Sequence, residues 1–284
     1  MDEVGLGRQL QTARKKAGLT QQDLCHKAGL SYSTLAKIER GAIKSPSIFT
    51  IQAIAAALGV SLNELMGDVA PAIPASKKYR SKSGVRFVFF DINGCLVRFF
   101  HRAFTQLAAD TGAAADVIET TFWHYNDAVC RGDMPVADFN QAMAKELRMA
   151  EMDWQAYYLD AVDPIPEMHE LVRWAAEYYQ VGLLSNIMPG FIDAMRAAGL
   201  LPDIRYSAII DSSQLGAIKP EPKIYEAAQK QAGCEPAEIL LVDDSRANVM
   251  AAEKFGWHVL WFDDYRPEES AARVKNALEP QSTV

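Results

Sequence analysis

Apolar positions follow two different rhythms along this chain. Up to about residue 66 they recur at the three- and four-residue spacing of helices. LGRQLQTARKKAG runs to Gly18, a residue suited to ending a helix. TQQDLCHKAGL opens at Thr20 with Asp23 three residues on, a capping-box pattern using Asp for the preferred Glu or Gln. Gly29 breaks that helix, Ser31 caps SYSTLAKIERG, and Gly41 closes it. PSIFTIQAIAAALGV then sets Ile48, Ile51, Ile54, Ala55 and Leu58 at helical spacing, and SLNELM reads as a last short helix. Two short helices around a Gly-containing turn predict a helix-turn-helix inside an all-α domain, residues 1–66. Residues 67–84, GDVAPAIPASKKYRSKSG, place Pro71 and Pro74 among small and polar residues and read as a linker.

From residue 85 the rhythm changes. VRFVFFD is a continuous apolar run, suited to a strand covered on both faces. VGLLSN (181–186), YSAIID (206–211), EILLVD (238–243) and HVLWF (258–262) have the same character. Helical stretches at 165–179, 189–199, 221–232 and 245–255 separate them. Strands alternating with helices predict an α/β, doubly wound (Rossmann-like) parallel sheet. Four more helical stretches lie between the first strand and Asp163: VRFFHRAFTQLAADTG, AADVIETTFWHYNDAVCRG, PVADFNQAMAKELRM and DWQAYYLDAV.

Charge sharpens the division. Residues 1–84 hold 12 Lys and Arg against 6 Asp and Glu, whereas the remainder holds 17 against 30. A basic head on an acidic body suggests that the head meets a polyanion and the body does not. The chain is 49% hydrophobic and 23% charged, ordinary for a globular protein. No apolar stretch approaches the roughly 18–20 residues that span a bilayer, and the N-terminus lacks the apolar core of a signal peptide. Cys25, Cys95, Cys130 and Cys234 show no CxxC spacing. Free thiols, a cytoplasmic location and no membrane partner are the expectation.

Ligands of open parallel sheets bind at the carboxyl ends of the strands. Here those ends carry Asp91, the Ser185–Asn186 pair and the Asp243–Asp244 pair, with Lys219 in a nearby loop. The first of these ends reads FFDINGCLV, with Asn93 two residues after Asp91.

Both halves resemble known families. TQQDLCHKAGLSYSTLAKIERG, through Gln21, Ala28, Gly29, Leu35, Ile38, Glu39 and Gly41, resembles the phage-repressor (Cro-like, XRE) helix-turn-helix family. The resemblance implies that the second helix of the pair enters the major groove of double-stranded DNA. Ser31, Tyr32, Ser33, Thr34 and Lys37 would face DNA, with Tyr32 against a thymine methyl or a sugar. Gln21, Lys44 and Ser47 would approach phosphates, Leu24, Leu35, Ile38 and Leu58 would be core, and a homodimer on a two-fold site is expected.

The order Asp91, Ser185, Lys219, Asp243–Asp244, within DING, LLSN, KPEPKIY and LVDDSRANV, resembles the haloacid dehalogenase superfamily over residues 85–265. That resemblance implies an α/β core over 85–96 and 163–265, an inserted four-helix cap over 97–162, and a C-terminal tail over 266–284. Asp91 would be the nucleophile that becomes an aspartyl phosphate. Ser185 and Lys219 would hold the phosphoryl oxygens, with Asn186 and Asn93 completing the catalytic set. Asp91, Asp244 and the backbone carbonyl of Asn93 would bind Mg²⁺. Asn248 would stand behind these ligands, together with Asp243, which occupies a position where many members have glycine. The cap of this family closes over the substrate, and Arg98, His101, Trp123, His124 and Arg131 are its candidates to meet a small phosphorylated metabolite.

Asn93 departs from the family's phosphatase motif, DxDG, whose second Asp is general acid and then general base. An amide does neither, and such help is worth roughly 10²–10⁴ in rate. The reading is therefore a DNA-binding transcriptional regulator whose body binds, and slowly hydrolyses, a phosphorylated metabolite. The alternative is an active Mg²⁺-dependent phosphomonoester phosphatase with the head in an accessory or dimerising role.

Overall fold

The structure is a computed structural model and describes residues 3–43, 46–58 and 80–280. The chain divides into two units, Met1–Ser76 and Lys77–Val284. The helix expected over 61–66, Lys44 and most of the expected linker lie outside the described residues.

The first unit holds α1 (Glu3–Lys16), α2 (Gln21–Ala28), α3 (Tyr32–Glu39) and α4 (Ile48–Leu58). Thr20 and Asp23 form the capping box reciprocally: Asp23 N–H donates to Thr20 Oγ1 at 3.2 Å, and Thr20 N–H to Asp23 Oδ2 at 2.9 Å. Ser31 Oγ accepts from Thr34 N–H at 3.1 Å and opens α3. Leu10, Leu24, Leu35, Ile38, Ile51 and Ile54 form the core, with Leu58 partly buried against it. Gly7 lets α1 lie against the end of α3, because a Cβ there would sit 2.5 Å from the Ile38 carbonyl oxygen.

A buried ion pair ties α1 to α3. Arg14 Nε and Nη2 donate to the two oxygens of Glu39 at 2.7 and 3.0 Å. Arg14 Nη1 also donates to the Leu19 carbonyl at 2.8 Å. Gln21 Nε2 donates to Glu39 Oε2 at 2.7 Å.

The second unit is built on a five-stranded parallel sheet in the order β3-β2-β1-β4-β5. Its strands are β1 (Phe87–Phe90), β2 (Gln180–Ser185), β3 (Ala208–Asp211), β4 (Ile239–Asp243) and β5 (His258–Trp261). Each falls within one residue of a run read as continuously apolar or starts inside it. Alternate residues feed two layers: Val88, Phe90, Leu183 and Val242 on one face, and Phe87, Phe89, Leu184 and Leu241 on the other. Helices α9 (Pro166–Tyr178) and α14 (Pro267–Ala277) cover the first face, through Leu171, Val172, Ala175 and Val274. Helices α12 (Pro222–Ala232) and α13 (Arg246–Lys254) cover the second, through Ile224, Tyr225, Ala228 and Ala252. Two short helices, α10 (Phe191–Ala197) and α11 (Ser212–Leu215), follow β2 and β3.

The inserted helices are α5 (His101–Thr111), α6 (Ala115–Arg131), α7 (Val136–Glu146) and α8 (Trp154–Ala161). They pack around Phe100, Phe104, Phe122, Phe139 and Trp154, with the Phe122 and Trp154 rings 4.7 Å apart. Helix α5 begins later than the apolar run that starts at Val97. Residues 97–98 instead pair with the returning chain, Arg98 N–H donating to the Asp163 carbonyl at 2.8 Å and Ile165 N–H to that of Leu96 at 2.9 Å.

Two stretches expected outside the α/β body belong to it. The expected tail from residue 266 contains α14, and Ser270 and Val274 within it and Leu278 just after it recur every four residues and are buried. Of the expected linker, residues 80–84 are tied down: Ser81 is fully buried, its Oγ accepts from Val85 N–H at 3.0 Å, and Arg80 pairs with Glu238 at 2.5 Å. Among the described residues, no helix is long and apolar enough to cross a membrane.

Replacing Glu39 by Ala strands the buried Arg14 guanidinium, and the expected loss is about 3 kcal/mol. It is read as faster amide hydrogen exchange across α1–α3 with exchange in β1 unaltered. Burial alone would raise the Glu39 carboxyl, but hydrogen bonds from Arg14 and Gln21 hold it below its usual range. That stabilisation is complete above the unfolded carboxyl's ordinary value of about 4.3 and is lost as pH falls through the lower folded value. Acidification through this window therefore loosens the natural head more than the Glu39→Ala head.

Candidate functional site

Three adjacent strands, β2, β1 and β4, end at one place. The register pairs Phe90 with Leu183 and with Val242, so Asp91 emerges level with Asp243, and Ser185 lies one position further along β2. Asp91 is almost fully buried. Its Oδ1 accepts from Ile92 N–H and from Ser185 Oγ, both at 2.7 Å, and meets Lys219 Nζ at 3.0 Å. Among the described residues, none donates to Oδ2. Burial pushes the Asp91 carboxyl up from its usual value, against the opposing pull of Lys219.

Lys219 reaches this point from the loop between α11 and α12, and its Nζ lies 2.5 Å from Asp243 Oδ2. Burial disfavours its charge, but Asp243 and Asp91 outweigh burial and hold the ammonium above its ordinary value. Asn186 fixes the backbone of Lys219 from both sides. Its Nδ2 donates to the Lys219 carbonyl at 2.8 Å, and its Oδ1 accepts from Lys219 N–H at 2.6 Å. Asp243 is fully buried; its Oδ1 accepts from Ser245 N–H at 2.8 Å and from Asn248 Nδ2 at 3.0 Å. Asn248 is held in turn, its carbonyl accepting from Tyr225 OH at 3.0 Å.

Asp244 stands apart from this network. No hydrogen bond from another described residue reaches its carboxylate. Burial, then the neighbouring Asp91 and Asp243 charges, push it up to about 7. Carboxylate oxygens of Asp91, Asp243 and Asp244 lie within 4.8 Å of one another. Three carboxylates against one ammonium leave excess negative charge, and hard oxygen donors in such a cluster suit a divalent cation such as Mg²⁺. Asp243 already spends its oxygens on Lys219, Ser245 and Asn248, so Asp91 and Asp244 are the carboxylates that fit this task. Gly94 makes room for them: its φ is +77°, and a Cβ there would sit 2.1 Å from Asp244 Oδ2.

Asn93 turns towards the inserted helices. Its Oδ1 accepts from the Tyr158 phenol of α8 at 2.6 Å. Burial pushes that phenol far above its usual range, more than the hydrogen bond to Asn93 lowers it.

A cavity of about 370 Å³ opens between this cluster and the inserted helices. Asp91, Asn93, Asn186, Lys219, Asp244 and Asn248 line its floor. Of the five residues expected to meet substrate, Trp123 alone lines it. Arg131 pairs with Glu221, and Arg98 donates to the Asp264 carbonyl at 3.4 Å. His101 lies against the Phe99 ring and His124 against that of Tyr125. Rings not foreseen among the lining residues include Phe99, Phe100, Phe122, Trp154 and Tyr158. Their apolar spacing signalled burial, and the rotation of each helix about its axis decides which ring meets the cavity.

In the first unit Ser31, Tyr32, Ser33 and Lys37 are exposed at α3, and Thr34 is half-buried. Gln21 is half-buried, and one N–H of its amide is given to Glu39. Ser47 is exposed and its Oγ caps the start of α4 through Thr50 N–H at 3.2 Å.

Residues 10–65 match the helix-turn-helix family model, and residues 85–256, more than half of the chain, match that of haloacid dehalogenase-like hydrolases. An immunity repressor protein of Bacillus phage phi105 is 38% identical over 77 residues, 27% of this chain. The chain spans 53% of that repressor's length. A phosphatase of Mycobacterium tuberculosis is 25% identical over 175 residues, covering 55% of this chain and 77% of its own. Two solved structures share the fold. One is a predicted haloacid dehalogenase-like hydrolase from Porphyromonas gingivalis, with TM-score 0.57 and 22% identity, covering 69% of this chain and 99% of its own. The other is a haloacid dehalogenase family enzyme from Bacteroides thetaiotaomicron, a variant in complex with magnesium and inorganic phosphate. Its TM-score is 0.55 and its identity 21%, covering 63% of this chain and 94% of its own. The chain thus belongs to the haloacid dehalogenase-like hydrolases, and it carries a helix-turn-helix unit of the XRE type ahead of the hydrolase body.

Proposed function

We propose that this chain is a sequence-specific DNA-binding regulator whose hydrolase body binds a small phosphorylated metabolite and turns it over slowly. The observation that carries the reading is the convergence of Asp91, Ser185 and Lys219 at the strand ends, beside an Asn93 whose amide does not exchange a proton near neutrality. Asp91 Oδ2 is the nucleophile towards phosphorus, forming an aspartyl phosphate as the ester oxygen leaves. Ser185 and Lys219 bind the phosphoryl oxygens and offset their developing charge. Asp91, Asp244 and the Asn93 carbonyl hold Mg²⁺, which when bound neutralises further phosphate charge.

Proton transfer to the leaving oxygen is the missing element. The Asn93 amide does not titrate near neutrality, and the Tyr158 phenol beside it is held protonated by burial. Loss of acid–base help slows turnover by roughly 10²–10⁴ and leaves binding intact. In the head, Ser31, Tyr32, Ser33, Thr34 and Lys37 present the face that reads DNA, as a homodimer on a two-fold site.

Phosphate release from a panel of small phosphomonoesters with Mg²⁺ tests the body. Slow turnover is expected from the natural chain, a rate about a hundredfold higher from Asn93→Asp, and none from Asp91→Asn. Release from Asp91→Asn equal to that of the natural chain would sink the nucleophile assignment. Mg²⁺ is expected to raise the thermal midpoint of the natural chain, and Gly94→Ala and Asp244→Asn are both expected to abolish the rise. In the head, Lys37→Ala should weaken binding to a mixed-sequence duplex and reduce the salt dependence of log K by about one unit, measured by fluorescence anisotropy across a salt series.

A further inference from the structure

The cavity is lopsided in its chemistry. Its floor is polar. Its walls and roof include six rings from the inserted segment, Phe99, Phe100, Phe122, Trp123, Trp154 and Tyr158, with Met188 and Phe191 from the core. Lys219 is the one cationic side chain among the lining residues, and it is already shared between Asp91 and Asp243. The polar groups on the cap side include the Tyr158 phenol, which donates to Asn93, the amide of Asn126 and the carboxylate of Asp127. The cations of the cap that the sequence offered are tied up elsewhere or do not line the cavity.

The rings grade from mouth to floor. Trp123 is 47% exposed and Phe99 half-buried, and the two rings are stacked at 6.3 Å with an interplanar angle of 21°. Phe100, Phe122, Trp154 and Tyr158 below them are almost fully buried. Near-parallel rings at an entrance favour a flat partner that offsets against them. A second phosphate or carboxylate under this roof would lose its hydration and face Asp127 with no cation to compensate. The volume, about 370 Å³, lies near the lower end of ordinary small-molecule pockets, enough for a phosphate and one compact ring system.

We propose that the cap cavity is a subsite for a flat, apolar leaving group without a second anion, so that the ligand is the phosphate monoester of an aromatic or similarly planar alcohol. The inference rests on the phosphate-binding reading above and narrows it to a class of substrate.

Phosphonates test it without turnover, because their carbon–phosphorus bond does not hydrolyse. Methylphosphonate, benzylphosphonate and 2-carboxyethylphosphonate are titrated into the full chain with Mg²⁺ by calorimetry, with inorganic phosphate as reference. Benzylphosphonate is expected to bind at least about tenfold more tightly than methylphosphonate, and the carboxyethyl compound no more tightly than methylphosphonate. Trp123→Ala should shrink the benzyl-to-methyl ratio, and Trp123→Phe should restore most of it; a merely structural role for Trp123 would weaken all four ligands alike. Equal affinities across the series, or preference for the carboxyethyl compound, would overturn the subsite while leaving the phosphate site standing. If inorganic phosphate itself does not bind, the phosphate-binding reading fails and the subsite falls with it.

Discussion

The body is organised around one buried ammonium. Lys219 is 2% exposed and bridges Asp91 and Asp243, the carboxylates that end two neighbouring strands. Bringing these groups together out of water is costly unless each is paired and its remaining hydrogen-bonding capacity is used. The surroundings meet that demand residue by residue. Asn186 grips the Lys219 backbone, Ser245 N–H and Asn248 complete Asp243, and Ser185 completes Asp91. Asp243 is therefore the strut that holds the lysine in place, and Asp91 is the member left with an open oxygen. Placement of the strand ends, the loop bearing Lys219 and the start of α13 all follow from satisfying this pair of contacts.

The same constraint explains what the sequence displayed clearly and what it did not. Strands covered on both faces must be apolar at every position, so FVFF, GLLS and ILLVD stood out, and polar residues at their ends stood out against them. The cluster Asp91, Ser185, Lys219 and Asp244 was legible for that reason. The task of Asp243 was not, because it depends on which carboxylate lies nearest the lysine, a three-dimensional fact. Asn186 likewise gave no sign that its amide closes on a backbone rather than on a ligand. Helix α14 escaped notice because its buried face is narrow, with Ser270, Val274 and Leu278 set among charged residues.

In the head, local chemistry was readable and tertiary pairing was not. Thr20, Asp23 and Ser31 act within a few residues of themselves, and their capping bonds appear as the pattern implied. Gln21 also opens its helix but is half-buried, and Glu39, eighteen residues on, accepts from its amide. A buried carboxylate facing Arg14 still has lone pairs to fill, and Gln21 fills one of them. Cap residues show the converse problem. Long cations such as Arg98 and Arg131 look like anion ligands in sequence, but each finds a closer oxygen on the protein.

Asn93 is best understood as part of this charge balance. An aspartate there would add a fourth carboxylate to a site that already carries three against one ammonium. It would also sit beside Asp244, which two neighbouring charges and burial already push up to about 7. The amide avoids that repulsion, and its Oδ1 accepts a hydrogen bond from the Tyr158 phenol at 2.6 Å, which joins the cap to the loop that follows β1. Accepting that bond with Oδ1 directs the Nδ2 donor away from the phenol. What the arrangement keeps is a cap hydrogen-bonded to the floor of the site.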